Sequence, residues 1–209
     1  MRIIVTGGAG FVGTNLVKRL IIEGHEVVSL DNYSTGKREN EQDGCEYITG
    51  DINNKSLSLE SYDVIFHIAA LARIQPSLKD PSTCIEANVN GTLNILNLAR
   101  EHNIPVIYAG SSSVHHGLYG SPYAWSKHAG EQLCELFSTA FGLNTTICRF
   151  YNVYGPHQLE EGDYSTVLGI YERQYRNNQP LTITADGEQR RDFTPVSYTH
   201  LTLPTILLV

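Results

Sequence analysis

The sequence predicts an α/β protein built on a doubly wound parallel sheet. Three observations carry this: short apolar runs alternate with longer helical stretches, the runs are continuously apolar, and a glycine-rich turn follows the first of them. Continuous apolarity marks strands covered on both faces, and strand–helix alternation requires right-handed crossovers between parallel neighbours. Ile3–Val5, Val27–Val28, Val64–Phe66, Val106–Tyr108 and Thr146–Ile147 read as strands. Helices are expected at about Phe11–Glu23, Pro81–His102 and Pro122–Phe141, the last with a buried stripe of Ala129, Leu133, Leu136, Phe137 and Ala140. The stretch 31–44, "DNYSTGKRENEQDG", reads as a polar loop. In such a sheet ligands bind beyond the carboxyl ends of the strands.

Composition narrows the function classes. The chain has 209 residues, 41% of them hydrophobic, which suits one soluble domain with a substantial core, or one domain and part of another. A net charge of -7 argues against general nucleic-acid binding. Cys45, Cys84, Cys134 and Cys148 lack any metal-ligand spacing, so no metal site is expected and free thiols in a reducing compartment are. No leader is expected ahead of the first strand, and the apolar end "LPTILLV" is too short to span a bilayer. A cytoplasmic protein with no membrane or nucleic-acid partner is the expectation.

The first strand runs into "TGGAGFVGTNL", with Gly7, Gly10 and Gly13 at three-residue spacing. Glycines at this spacing let the backbone turn tightly against a pyrophosphate at a helix N-terminus. Gly8 and Gly13 also match the spacing of a phosphate-loop NTPase, but Thr14 stands where that motif needs Lys. Asp31 closes the second strand where a carboxylate would take both adenosine ribose hydroxyls and repel a 2′-phosphate. NAD is therefore favoured over NADP, although Lys37 and Arg38 lie nearby.

In "SPYAWSKHAGE", Ser121 caps a helix and Pro122 suits its first turn. Tyr123 and Lys127, four apart, share one helix face. A free tyrosine, with a pKa near ~10, is a poor base at neutral pH. A nearby ammonium and a cationic nicotinamide ring would favour its phenolate. Lys127 could also hold the nicotinamide ribose. A preceding serine cluster, "AGSSSV", supplies a hydroxyl partner.

With these residues in place the chain resembles the extended short-chain dehydrogenase/reductases, in their NAD-dependent nucleotide-sugar epimerase/dehydratase branch (UDP-glucose 4-epimerase-like). Matching segments run in order from Met1 to about Val196: "VTGGAGFVG", "LDN", "GDI", "HIAALA", "NVNGTLNIL", "SSSV", "PYAWSK", "RFYNVYGP" and "RRDF". The resemblance implies a Rossmann sheet over 1–155, a small substrate-binding part over 156–196, and NAD as cofactor. It implies cofactor contacts from Gly7, Gly10, Phe11, Val12, Gly13, Asp31, Asn32, Asp51, Ile52, Ala69, Ala70, Tyr123, Lys127 and Tyr151. Tyr123 and Lys127 would be the catalytic pair, with Ser111, or less readily Ser112, as hydroxyl partner. Ser111, Tyr123, Asn152 and Arg191 would meet a nucleotide sugar, and Asn88 would be structural. His115 departs from the family's usual Tyr, and an extra residue precedes Gly117. His115 and His116 either line the pocket or are plain loop residues.

The family's 4,6-dehydratases place an acidic pair just after the hydroxyl residue, where this chain has Ser112 and Ser113. That implies epimerisation at C4 of a UDP-hexose-type sugar through a transient 4-keto intermediate. A dehydratase, reductase or decarboxylase of the same branch, and an inactive NAD-binding module, are the alternatives. A homodimer is expected by resemblance. After Val196 the family pattern stops, so Ser197–Val209 is expected to be a non-native tail and the substrate-binding part to be truncated.

Overall fold

The computed structural model describes residues 1–115, 117–183 and 186–198. The chain opens with β1 (Arg2–Thr6), α1 (Phe11–Ile22), β2 (Glu26–Asp31), β3 (Cys45–Thr49) and β4 (Val64–His67). It continues through α2 (Ile74–Lys79), α3 (Pro81–Ile85), α4 (Gly91–His102), β5 (Val106–Ser111), α5 (Pro122–Phe141) and β6 (Thr145–Phe150). Then come β7 (Asn152–Tyr154), α6 (Val167–Arg176) and β8 (Phe193–Pro195). Six strands form one sheet in the order β3-β2-β1-β4-β5-β6, every adjacent pair parallel. β7 and β8 form a separate parallel pair.

This is the doubly wound sheet the sequence predicts, with its strand order reversing between β1 and β4. Two apolar layers hold it. Ile3, Val5, Leu16, Val17, Leu20 and Phe66 fill one face, and Ile4, Ile65, Ile95, Leu96, Tyr108 and Phe137 the other. Each fully buried aliphatic side chain is worth about 1.5–3 kcal/mol of transfer free energy.

The structure departs from the sequence reading in several places, and α2, α6, β7 and β8 were not among the expected elements. β3 is an edge strand with alternating exposure and one apolar neighbour on the core, so it carries no apolar run to betray it. The polar stretch after β2 is not plain loop: Arg38–Asn40 make a 3-10 turn with Asn40 buried. The long helix expected over Pro81–His102 is interrupted by a π-turn at Glu86–Asn90, which separates α3 from α4. The buried stripe of α5 is only partly the apolar one: Phe137 is buried and Leu133 packs on the core, as expected. Leu136 and Ala140 are exposed and Ala129 half-buried, whereas Ala124, Lys127, Gly130, Glu131, Cys134 and Phe137 face inward. Polar and small residues share the inward face with Phe137 because it is built around Lys127 and Tyr108. A Cβ on Gly130 would lie 2.1 Å from the Tyr108 hydroxyl.

Candidate active site

One cavity of about 1140 Å³ lies beyond the carboxyl ends of the sheet strands. Its walls are Gly7 and Gly10–Gly13 after β1, Asp31 and Asn32 at β2, Gly50–Ile52 after β3, Ile68–Arg73 after β4, Ser111–Ser113 at β5 and Phe150–Val153 after β6. Tyr123 and Lys127 reach it from α5. Every residue singled out from the sequence as catalytic, cofactor-binding or substrate-binding lines this one space, including Ala69, Ala70, Tyr151, Asn152 and Arg191.

The glycine loop fits a dinucleotide. Gly7 has φ +75, and a Cβ there would stand 2.8 Å from the Ala69 backbone. On Gly13 it would stand 2.0 Å from the Gly7 carbonyl oxygen. Gly10 caps α1 with no side chain, so the free first-turn N–H groups of the helix are left for an anion. The loop is braced from outside. The Asn40 amide donates to Ala9 O (2.9 Å), and the Asn15 amide to Phe11 O and Pro156 O (2.9 Å each).

Asp31 is buried and does two jobs. Its Oδ2 accepts the Ala9 N–H (2.9 Å) and its Oδ1 the Tyr33 N–H (2.8 Å), which ties the turn to the glycine loop. Each carboxylate oxygen keeps a second lone pair for a ribose hydroxyl. Lys37 and Arg38, which raised the question of a 2′-phosphate, do not line the cavity. Lys37 pairs with Glu39 at 2.9 Å, while Arg38 pairs with Glu41 at 3.4 Å and lies over the Tyr33 ring. Asn32 donates to Asp51 Oδ2 at 3.0 Å. The Asn53 backbone N–H above all, with that amide, holds the Asp51 carboxyl below its ordinary range.

At the other end of the cavity Tyr123 Oη lies 3.4 Å from Ser111 Oγ. Ser121 caps α5 through the Ala124 N–H, and α2 docks against that first turn, where the Tyr123 N–H donates to Ser77 Oγ (3.2 Å). Burial raises the Tyr123 phenol, and the Ser111 hydrogen bond and the charge of Arg73 lower it. Arg73 is thus a cation that favours the Tyr123 phenolate. Lys127 is buried, with Nζ 4.2 Å from the centroid of the Tyr108 ring. Burial brings its ammonium down to about 8, opposed in part by the buried Glu131 that Arg149 holds at 2.8 Å. It is not a solvated surface lysine.

Arg73 escaped the sequence reading. It sits at the N-terminal cap of α2, its Nε donates to the Tyr164 carbonyl (3.1 Å), and burial lowers its pKa. Its only signal was one charge inside an otherwise small and apolar run.

A second missed group is His67, buried beneath the cavity wall. Thr92 Oγ1 donates to Asn88 O (2.7 Å), so it must accept from His67 Nε2 (3.0 Å). Nδ1 then accepts from Thr6 Oγ1 (2.7 Å), which itself accepts the Ala69 N–H (3.2 Å). The chain fixes one neutral tautomer and ends on the cofactor wall. Asn88, projected by the π-turn, completes it by exchanging hydrogen bonds with the Leu71 backbone and donating to Ser126 Oγ (3.0 Å). Asn88 is thus structural, as expected, and it does not line the cavity.

Burial first, and Lys127 second, lower His67 from 6.5 to about 3. The unfolded chain therefore binds one more proton than the native state between those values, so stability present above about pH 6.5 is lost as pH falls towards 3. The full effect is on the order of 3–5 kcal/mol. The urea midpoint is expected to drop steeply from pH 7 to pH 5, and His67→Gln to flatten that slope.

Asn152 donates to the Asp192 carbonyl at 2.9 Å, joining β7 to the segment before β8, and Arg191 Nη1 turns back to Arg190 O. Both are exposed on the cavity rim, as is Tyr151. His115 is exposed and lines the cavity, while His116 lies outside the described residues. Of the expected tail, Ser197 and Tyr198 lie in a 3-10 turn, Val196–Tyr198, and residues 199–209 fall outside the described residues. Among the described residues no His/Cys/Asp/Glu group could hold a metal, and no helix is long and apolar enough to cross a membrane.

Known proteins resemble this chain in sequence and fold. A UDP-N-acetyl-alpha-D-glucosaminuronate decarboxylase of Bacillus cytotoxicus is 32% identical over 94% of this chain and 68% of its own length. The UDP-glucose 4-epimerase of Thermotoga maritima, solved with UDP-glucose, superposes with a TM-score of 0.90 at 30% identity, over 95% of this chain and 71% of that one. A dTDP-glucose 4,6-dehydratase of Streptomyces venezuelae, solved with NAD and TYD, gives 0.90 at 26% identity, over 100% and 72%. The model of the NAD dependent epimerase/dehydratase family matches residues 3–197, so the glycine cradle, Asp31 and the tyrosine–serine end of the cavity have a common explanation: this chain belongs to that family, and its cofactor is NAD.

Proposed function

We propose that the protein epimerises a nucleotide-activated hexose of the UDP type at C4, through a transient 4-keto sugar. The observation that carries this is the make-up of the catalytic end: Tyr123 and Ser111 face each other, and the next two positions are hydroxyls, Ser112 and Ser113. Elimination of water needs an acid and a base beside that pair, and neither residue can serve as one.

In this reading residues 1–155 serve the cofactor and 156–196 the sugar. Gly7, Gly10, Phe11, Val12 and Gly13 would hold the pyrophosphate, Asp31 the adenosine ribose, and Asn32, Asp51 and Ile52 the adenine edge. Ala69 and Ala70 would pass beside the cofactor, with Tyr151 across from them and Lys127 on the nicotinamide ribose. NAD, when bound, supplies an acceptor for the C4 hydride and later its return. Tyr123 takes the proton of the sugar 4-hydroxyl, and Ser111 holds that oxygen and keeps it in register. Once the carbonyl has formed, Tyr123 holds the proton that the oxygen needs when the opposite face is reduced. Asn152 and Arg191 would grip the sugar and the diphosphate, the guanidinium by paired donors. A homodimer through α5, whose outward face exposes Trp125 and Leu136, belongs to the same reading.

The test is to incubate NAD-loaded protein with UDP-glucose, UDP-galactose and UDP-N-acetylglucosamine and follow the anomeric protons by NMR. Interconversion of C4 epimers without accumulation of NADH is the expected result. Release of carbon dioxide from a uronate, or stoichiometric use of cofactor, would replace the epimerase with a decarboxylase or a reductase.

A further inference from the structure

Ser111 Oγ has one proton and two lone pairs. It lies 3.2 Å from the Ser113 N–H, 2.9 Å from Ser113 Oγ and 3.4 Å from Tyr123 Oη. The backbone N–H can only donate, so it occupies one lone pair. The remaining lone pair and the proton are left to the two hydroxyls, one each. Two arrangements satisfy this. Either Ser113 donates to Ser111 and Ser111 donates to Tyr123, or Tyr123 donates to Ser111 and Ser111 donates to Ser113.

We infer that Ser113 is a positioning residue, whose hydroxyl aims the single proton of Ser111 at Tyr123 when that side chain is a phenolate. The inference rests on the proposed role of Tyr123 as base and goes beyond it, because Ser113 is placed by its hydrogen bonds to Ser111. When Tyr123 takes up a proton the chain reverses, and Ser111 is satisfied throughout. The arrangement matters because the other groups facing Tyr123 are few. Arg73, ahead of α2, is a cation, and Cys84 of α3 opposes the phenolate. Ser77 of α2 meets only the Tyr123 backbone, and Lys127, on the same helix, is engaged with Tyr108. Among the described residues, the side-chain hydrogen bond at the Tyr123 hydroxyl is the one with Ser111, and Ser113 decides its direction. Burial alone would keep the phenol protonated.

Removing the Ser113 hydroxyl leaves the 3-10 turn of Ser112–His115 and the residue-113 N–H in place. The decisive measurement needs no sugar: titrate NAD-loaded protein by near-ultraviolet absorbance and subtract the same titration of Tyr123→Phe, which isolates the Tyr123 phenolate. Ser113→Ala is expected to raise that midpoint by about one pH unit, a tenfold loss in acidity typical of a weakened hydrogen bond to a charge. Ser113→Thr is expected to restore it. With a turned-over substrate, Ser113→Ala should lower kcat about tenfold at neutral pH, move the acid limb up by the same amount and leave KM unchanged. An unmoved midpoint, or an equal shift in Ser113→Thr, overturns the inference. So does a rise in KM without a shift in the limb, which would make Ser113 a substrate contact. A shifted midpoint restored by Thr, in a protein that epimerises none of the sugars, sustains the inference and sinks the epimerase reading instead.

Discussion

Tyr123→Phe is expected to lower kcat by about 10³-fold, within the 10²–10⁴ range of a lost general acid–base group, while NAD stays bound and KM changes little. The ring keeps its place because its surroundings fix the backbone rather than the hydroxyl: Ser121 caps the helix and Ser77 accepts the residue-123 N–H. What disappears is the one oxygen aligned with Ser111. The pH profile gives the sign. A base works only when deprotonated, so the rate of the unaltered protein should rise with pH through the Tyr123 midpoint. Burial pushes that midpoint up, and Ser111 and Arg73 pull it down. A Phe variant should keep a small rate with no such limb. Stopped-flow or NMR turnover at several pH values checks both, with cofactor content measured on the same samples. A Phe variant that retains most of its activity would remove Tyr123 from the chemistry.

The part of this site that was legible in the sequence consists of residues whose local setting declares them. Gly7, Gly10 and Gly13 sit at a strand–helix junction, Asp31 ends a strand, and Tyr123 and Lys127 begin a capped helix. Each owes its place to backbone geometry, which leaves a periodic trace. The sheet was legible for the same reason, except for β3, whose exposed edge position needs no apolar run. What was not legible depends on contacts between distant segments. The charge of Arg73 reaches Tyr123 because α2 packs on the first turn of α5. His67 links Thr6, Thr92 and Asn88 across β1, β4, α4 and the π-turn. The true inner face of α5 was misread because a hydrophobicity count ranks Lys127 and Glu131 as surface residues. Their burial is explained by Tyr108 and Arg149, which arrive from β5 and β6.

The tightest of the close approaches at the described glycines sets the second large effect. Gly13→Ala would place a methyl 2.0 Å from the Gly7 carbonyl oxygen and 2.8 Å from both the Gly7 carbonyl carbon and Gly8 Cα. All three are backbone atoms, so no side chain can swing aside. Either α1 must slide outward, disturbing Leu16, Val17 and Leu20 in the core, or the loop must open and lose the turn that Gly7 makes at φ +75. Overpacking of this kind costs about 1–3 kcal/mol and sometimes more. NAD affinity should suffer further, because the free N–H groups at the start of α1 would leave register with the pyrophosphate. We expect a loss of at least ~100-fold in NAD binding by calorimetry, equivalent to about 2.7 kcal/mol, together with a lowered Tm. Gly10→Ala is the internal comparison. Its methyl would meet only the Gly7 oxygen, at 3.3 Å, so a shift of a few tenths of an ångström accommodates it and the fold should hold. If Gly13→Ala binds NAD as well as the unaltered protein does, the loop is not the pyrophosphate site. The cavity would then have to take its cofactor through the Asp31 end alone.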